Sequence, residues 1–546
     1  MVHLLLTLAA AAPPTAPERA WIDAHAIPVA TADPSAPLDD LRPLLAHLQG
    51  ARVVGLGECT HGTREAFQLK HRLTQLLMDE LGFTAFAIEA SLPATLPLGA
   101  WIAGGEGDRD RLVAGMGFWT WSTEEVAAMA QWMRGAHPGT AASPTWWGID
   151  MQDPAAAVRV LQRELADQPD RLAALDAVWD GMLSEPAILN VHVGDAAGAR
   201  RAGIEAQIRT EAADGVASLW VQALDAHDKV LAFDAFPYRA SGDTDWARWR
   251  GQLHLPPGTA EVQAGLMVRG AGLVELDDLR LTLDGAPWAP VAGVDLAFDL
   301  ATPPVVDDEA RRRTARARGW AISAPGREVL RTEDGALRVN GVRASPEAQY
   351  AALPAIREGT ALSSLADRVL ETAIQAVQME AGPTPAAQSA RRDLAMAANT
   401  LWLLEQQRGP IVVWAHNAHV SRGPGWMGAH LAAALGEAYV PLGFACGSGS
   451  YTAADPRGPG LQTWTLSRPV ADSVEARLAA MGAPSSILDL RETADAPDAA
   501  WLRAPLRHRQ IGAIPAAGFE LPTPLHTLYD LLLWLPASTA SRGLTF

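Results

Sequence analysis

Four short apolar runs in this 546-residue chain each end on an acid or a histidine, and no other feature constrains its fold as strongly. They are residues 52–57 leading into Glu58 and His61, residues 84–88 into Glu89, residues 146–149 into Asp150, and residues 411–415 into His416 and His419. Each run is apolar at consecutive positions rather than alternating, which is the pattern of a strand buried on both faces in a parallel sheet. In open α/β sheets the chemistry collects beyond the carboxyl ends of the strands. Polar residues at four such ends therefore predict one shared site, and the chain reads as an enzyme.

The length exceeds what one ordinary core accommodates, so more than one domain is expected. A net charge of -18 argues against a nucleic-acid or anionic-membrane partner. No stretch reaches the length of a transmembrane span, so no membrane anchor is expected. Residues 4–12 are apolar and lead into an Ala-Pro-rich stretch. Residues 1–16 are therefore a candidate signal segment, although no basic residue precedes the apolar run. Export to the periplasm or medium is the expectation. The two cysteines, Cys59 and Cys446, make neither a disulfide framework nor a zinc cluster. Cys59 sits in the Glu58–His61 loop, but no separate base is implied for it, and the reading rejects it as a nucleophile. Most of the 19 tryptophans are expected in the core.

Strand and helix alternate up to about residue 190. Thr63 is expected to cap a helix starting at Arg64 with Phe67, Leu69, Leu73, Leu76, Leu77 and Leu81 on its apolar stripe and Gly82 at its end. The pattern then changes to strand-like segments at residues 217–223, 230–233, 249–255, 262–268 and 279–283. Turn signals at Pro256–Pro257–Gly258 and Arg269–Gly270–Ala271–Gly272 separate them. The α/β pattern resumes with a helix at residues 386–407 and further strands near Tyr439 and Tyr529. The fold class is thus α/β, a mostly parallel sheet with helices on both faces, interrupted by an inserted all-β sandwich. Residues 17–190 and 345–546 form the α/β domain, 191–300 the insert and 301–344 a connecting segment.

His61 lies just before a helix N-terminus and beside Glu58. A neighbouring carboxylate fixes a histidine's tautomer and suits it to take a proton from water. Glu89 arrives at a neighbouring strand end. His416 and His419, three residues apart, also have metal-ligand spacing, so a divalent metal held by Glu58, His61, Glu89 and His416 is the main rival reading. One of the two histidines is expected to brace its loop, and the reading gives that part to His419. Asp150 either orients a partner or caps the next helix. Lys70 can stabilise an oxyanion, Arg64 lies one turn and a half before it, and Asp393 is expected to be structural.

Together, Gly57–Glu58–x–x–His61–Gly62–Thr63, Glu89, Gly148–Ile149–Asp150, Arg392–Asp393–x–x–Met396–Ala397–x–Asn399 and Trp414–Ala415–His416–Asn417–Ala418–His419 resemble the erythromycin esterase family. The resemblance implies a carboxylic ester hydrolase that cleaves an ester or lactone with water and needs no organic cofactor. It implies His61 as general base, Glu58 and Glu89 assisting, and His416 completing the catalytic set. His419, Lys70, Arg64 and Asp150 are assigned to substrate. Macrolide-active members usually carry arginine where this chain has Lys70, and lysine lacks the guanidinium fork, a departure that counts against a macrolide substrate without deciding it. The insert resembles a carbohydrate-binding jelly roll, which implies a saccharide partner beside the small-molecule ester. A catalytically idle saccharide-binding protein is the remaining alternative.

Overall fold

The computed structural model describes residues 13–136, 145–179, 187–287, 311, 315, 320–324, 328–331, 336–341, 356–357, 362–380, 382, 384–407, 409–454, 461–515 and 518–544. Residues 4–12 of the candidate signal segment lie outside these. The first described helix is Ala16–His25, whose cap Thr15 forms a reciprocal capping box with Glu18.

Nine strands form the framework of the fold. In chain order they are β1 (Val53–Leu56), β2 (Ala85–Ser91), β3 (Thr145–Asp150), β4 (Arg201–Leu224), β5 (Val230–His254), β6 (Glu261–Leu283), β7 (Ile411–Trp414), β8 (Tyr439–Ala454) and β9 (Leu531–Ser538). Four helices matter for the site: α1 (Arg64–Leu81), α2 (Glu124–Gly135), α3 (Pro385–Gln406) and α4 (Met427–Leu435). The chain divides into two units. One holds residues Met1–Val160, Ser364–Ala454 and Leu461–Phe546; the other holds Leu161–Ser363 and Asp455–Gly460.

In the first unit six strands run parallel in the order β9-β8-β1-β7-β2-β3. Ser486–Asp489 and Ile27–Pro28 extend the β9 edge antiparallel, and Leu461–Thr465 pairs with β8. Both faces are covered, which is why the strands are apolar throughout. Val54, Leu56, Phe86, Ile88, Val412 and Trp414 pack with Phe67, Leu69 and Leu73 of α1 and Val126 and Met129 of α2. Their alternate neighbours Val53, Ala85, Ala87, Ile411 and Val413 pack with Met396 and Leu403 of α3 and Met427 and Leu431 of α4. α1 ends as expected on Gly82, whose φ of 68° is left-handed. Its other end differs. Thr63 stands at the N-cap without capping, because its hydroxyl hydrogen-bonds the Thr60 hydroxyl instead.

Among its described residues the second unit holds the helix Pro169–Trp179 and one antiparallel hydrogen-bonded sheet built on three long strands, β4, β5 and β6. The expected segments fall within these strands except for Leu255, one residue past the end of β5, but the turn expected at residues 269–272 does not exist. β6 runs through it, with Gly270 paired to Gly215. Two small residues facing each other left no side-chain signal of a strand. The connecting segment also differs from expectation, since Trp320–Ser323, Glu328–Arg331 and Leu337–Gly341 are strands of this sheet, and Ala187–Asp195 enters it before residue 191. The long strands fold back on themselves. On β5 the Trp249 indole N–H donates to the Phe236 carbonyl at 2.8 Å, whereas thirteen extended residues would span about 43 Å. Val221, Leu219, Val274, Leu276 and Leu281 are among the residues buried between the layers.

Candidate active site

Strand register gathers the polar residues. Leu56, Trp414, Ile88 and Gly148 lie level across β1, β7, β2 and β3. One or two residues further along stand the polar groups: Glu58 and His416 just past the ends of β1 and β7, Glu89 at an irregularity near the end of β2, and Asp150 as the last residue of β3. The loops there are close-packed. A Cβ on Gly57 would stand 2.2 Å from the Asn417 Oδ1, and one on Gly148 would stand 2.4 Å from the Ala90 carbonyl. Asn417 uses that oxygen to accept from the Phe444 N–H and its amide to donate to the Phe444 carbonyl, tying β7's end to β8.

Glu58 is wholly buried and both its oxygens are engaged. Its Oε1 accepts from His61 Nδ1 at 2.7 Å, and its Oε2 accepts from Lys70 Nζ at 2.6 Å and from the Trp414 indole at 2.9 Å. With Nδ1 donating, the His61 Nε2 is left as the basic nitrogen, and among the described residues nothing hydrogen-bonds it. The ring lies edge-on to Trp121 at 6.0 Å and 4.9 Å from the His416 ring.

Arg392, on α3, is the second centre. Its Nη2 donates to Glu89 Oε1 at 2.7 Å and to Asp150 Oδ2 at 2.6 Å. His419 completes this group, with Nε2 3.2 Å from Glu89 Oε1 and Nδ1 2.7 Å from Asp393 Oδ1. Burial disfavours a charged His419, but the Glu89 and Asp393 carboxylates override it and raise the imidazole to about 9. Burial likewise opposes ionisation of Glu89, and His419 and Arg392 nevertheless hold it well below the usual carboxylate range. Three carboxylates thus face two cations.

The two histidines of the β7 loop exchange the parts expected of them. His416 is the brace, because its Nδ1 accepts from the Ala418 N–H and its Nε2–H donates to the Ile511 carbonyl at 3.1 Å. Burial, together with nearby His61 and His419, keeps it neutral, well below the ordinary histidine value. It therefore offers no free donor for an oxyanion. His419 sits inside the carboxylate network. Lys70 is wholly buried beneath Glu58, 4.4 Å from the Trp414 ring centre, rather than facing a substrate. Burial pulls its ammonium down to about 8 against the opposing attraction of Glu58. Arg64 pairs with Glu125 at 3.3 Å, outside the cluster. Asp150 caps nothing further along the chain than Met151 and serves mainly to hold Arg392. Cys59 is wholly buried. Ile511 had no signal in the sequence, since only its backbone acts.

The set Glu58, His61, Glu89 and His416 does not fit a metal. The carboxylate oxygens are held by an ammonium, a guanidinium, an indole and imidazoles, and both His416 nitrogens face backbone groups. Among the described residues only His47, Asp489 and Glu492 bring three ligand atoms within 4.8 Å of one another, and Arg491 already pairs with that aspartate.

The sequence profile of the erythromycin esterases matches residues 78–250 and 296–538, more than half of the chain. The chain belongs to the erythromycin esterase family. Relatives within reach of sequence comparison include erythromycin esterase type II of Escherichia coli, 30% identical over 131 residues. Another is the Bacillus subtilis protein YbfO, named as a hydrolase and 41% identical over 75 residues. These alignments span 24% and 14% of this chain, and 31% and 16% of the relatives' own lengths. Solved structures match more widely. A succinoglycan biosynthesis protein superposes with a TM-score of 0.60 at 18% identity, covering 96% of this chain and 97% of its own. An erythromycin esterase, an EreC variant in its open conformation, gives 0.51 at 12%, covering 93% and 96%. At such identities the likeness establishes the α/β esterase fold alone. No described helix is long and apolar enough to cross a membrane.

Proposed function

We propose that this esterase-family protein hydrolyses a carboxylic ester or lactone of a small molecule with water activated by His61. The observation that carries the reading is the His61 ring, with one nitrogen fixed by Glu58 and the other free. A water at Nε2 gives up its proton as its oxygen attacks the ester carbonyl carbon, and the C=O electrons move onto the oxyanion. Collapse expels the alkoxide, which takes the proton back from Nε2, giving acid and alcohol. Glu58 stays ionised and orients the ring, while Lys70 balances its charge beneath. Lys70 is wholly buried and His416 has no free N–H, so the partly exposed Arg392 guanidinium, which also holds Glu89 and Asp150, is the cation assigned to the oxyanion. No Ser nucleophile is needed, in keeping with the absence of a Gly-x-Ser-x-Gly elbow from the sequence.

The test is turnover of a panel of esters and lactones by the wild-type chain and by His61→Ala. Hydrolysis lost in the variant supports the reading; equal turnover in both, or none in either, would refute it.

A further inference from the structure

The second unit carries a cleft of ≈ 480 Å³ that the ester chemistry does not use, lined by residues of β4, β5 and β6 including Glu205, Arg250, Gln252, Arg280 and Thr282. That volume suits one or two sugar-sized rings. Residue pairing puts these side chains on one face. Glu205 of the central strand β4 lies opposite Arg250 on one side and Arg280 on the other, and Gly203 lies opposite Gln252 and Thr282. The alternate residues Ile204, Leu253 and Leu281 point into the core.

The floor is made by glycine. A Cβ on Gly203 would lie 2.5 Å from the Thr282 hydroxyl, so any side chain there would fill the space. β4 is hydrogen-bonded on both sides, so the middle of the cleft presents side chains rather than unpaired backbone groups. One part of the rim is already satisfied. Arg248 binds Glu205 and reaches Asp278 at 2.9 Å, and Arg280 reaches Asp278 at 2.8 Å. The rest is not. Among the described residues no hydrogen bond or ion pair engages the Arg250 guanidinium, the Gln252 amide or the Thr282 hydroxyl. Three guanidiniums stand against two carboxylates, an excess of one positive charge in a chain of net charge -18.

We infer that this cleft binds a hydroxyl-rich anionic ligand, an acidic saccharide unit whose carboxylate or sulfate pairs with Arg250 while its hydroxyls meet Gln252 and Thr282. A guanidinium fork binds such groups through two parallel hydrogen bonds, and amide and hydroxyl groups match sugar hydroxyls as donor and acceptor. A purely apolar ligand finds little to contact on this rim.

The experiment is titration calorimetry of the full chain with an oligogalacturonate, a sulfated oligosaccharide and a neutral xylo-oligosaccharide, at low and high salt. The expected result is binding of one or both acidic probes, weakened at least about tenfold by Arg250→Ala and by added salt, and measurably by Gln252→Ala. The acidic probe that binds identifies carboxylate or sulfate as the anionic group. Arg250 and Gln252 are exposed, so the variants should melt at the wild-type temperature. No binding of either acidic probe, binding indifferent to both substitutions, or preference for the neutral probe would overturn the inference. None of these outcomes depends on ester turnover, so the catalytic reading stands or falls separately.

Discussion

Lys70 Nζ lies 2.6 Å from Glu58 Oε2, and both side chains are wholly buried. The pair sits directly behind His61, so the charge state of a wholly buried lysine bears on the base proposed above. Lys70→Met leaves the Glu58 carboxylate without its counter-charge in a dry site. Removing one partner of such a pair costs about 3–5 kcal/mol. Chemical denaturation of the variant at neutral pH should show that loss.

The same lysine sets an alkaline limit. Burial brings its ammonium down to about 8, so above that pH the cluster loses the charge that balances Glu58. The pH profile of kcat/KM should fall on its alkaline side near this value. Lys70→Arg keeps its charge throughout and should move the limb upward; an unmoved limb would detach it from Lys70.

His61→Ala should lower turnover by roughly 10²–10⁴-fold, the ordinary worth of a general base. The loop backbone is held by Thr452 and Ser541, whose N–H groups donate to the Gly62 carbonyl, and these bonds do not involve the imidazole. Circular dichroism and the melting temperature should therefore stay at wild-type values.

Asp393→Asn should lower the His419 pKa, measurable by NMR titration. The carboxylates raise this imidazole above its unfolded value of about 6.5 to about 9. Its contribution to stability is thus complete below about pH 6.5 and is lost as pH rises through about 9. The stability gap between wild type and variant should narrow over that window.

His71 predicts acid sensitivity. It is buried in α1 against Trp132, neither ring nitrogen has a partner among the described residues, and burial lowers it to about 4. Below about pH 6.5 the unfolded chain takes up a proton that the folded one refuses, so stability falls towards pH 4. His71→Phe should flatten the dependence of melting temperature on pH across that range.

The parallel sheet was legible because a strand buried on both faces leaves an unbroken apolar run, and the polar residue that ends each run stands at or near the carboxyl end of its strand. Glu58, His61 and Glu89 were found that way. The division of labour was not, because it depends on which partner each nitrogen or oxygen meets. His416 and His419 look equivalent in sequence, yet one faces the Ile511 carbonyl and the other Glu89 and Asp393. Lys70 was read as reaching substrate because a helix stripe does not tell how deep its polar member lies. In the insert, glycines at residues 270 and 272 signalled a turn where the backbone simply runs through a ladder.

The His61 loop is held from far along the chain. β1 lies between β7 and β8, Ile511 ties both Cys59 and His416, and Ser541 donates to Gly62. On a ribosome this order has a consequence in time. Glu58 and His61 are made before the insert and wait, with both edges of β1 unpaired, until β7 and β8 follow it. The loop is fixed only once the segment carrying Ile511 and Ser541 has followed, which makes its assembly a late event and leaves the nascent protein dependent on protection until then.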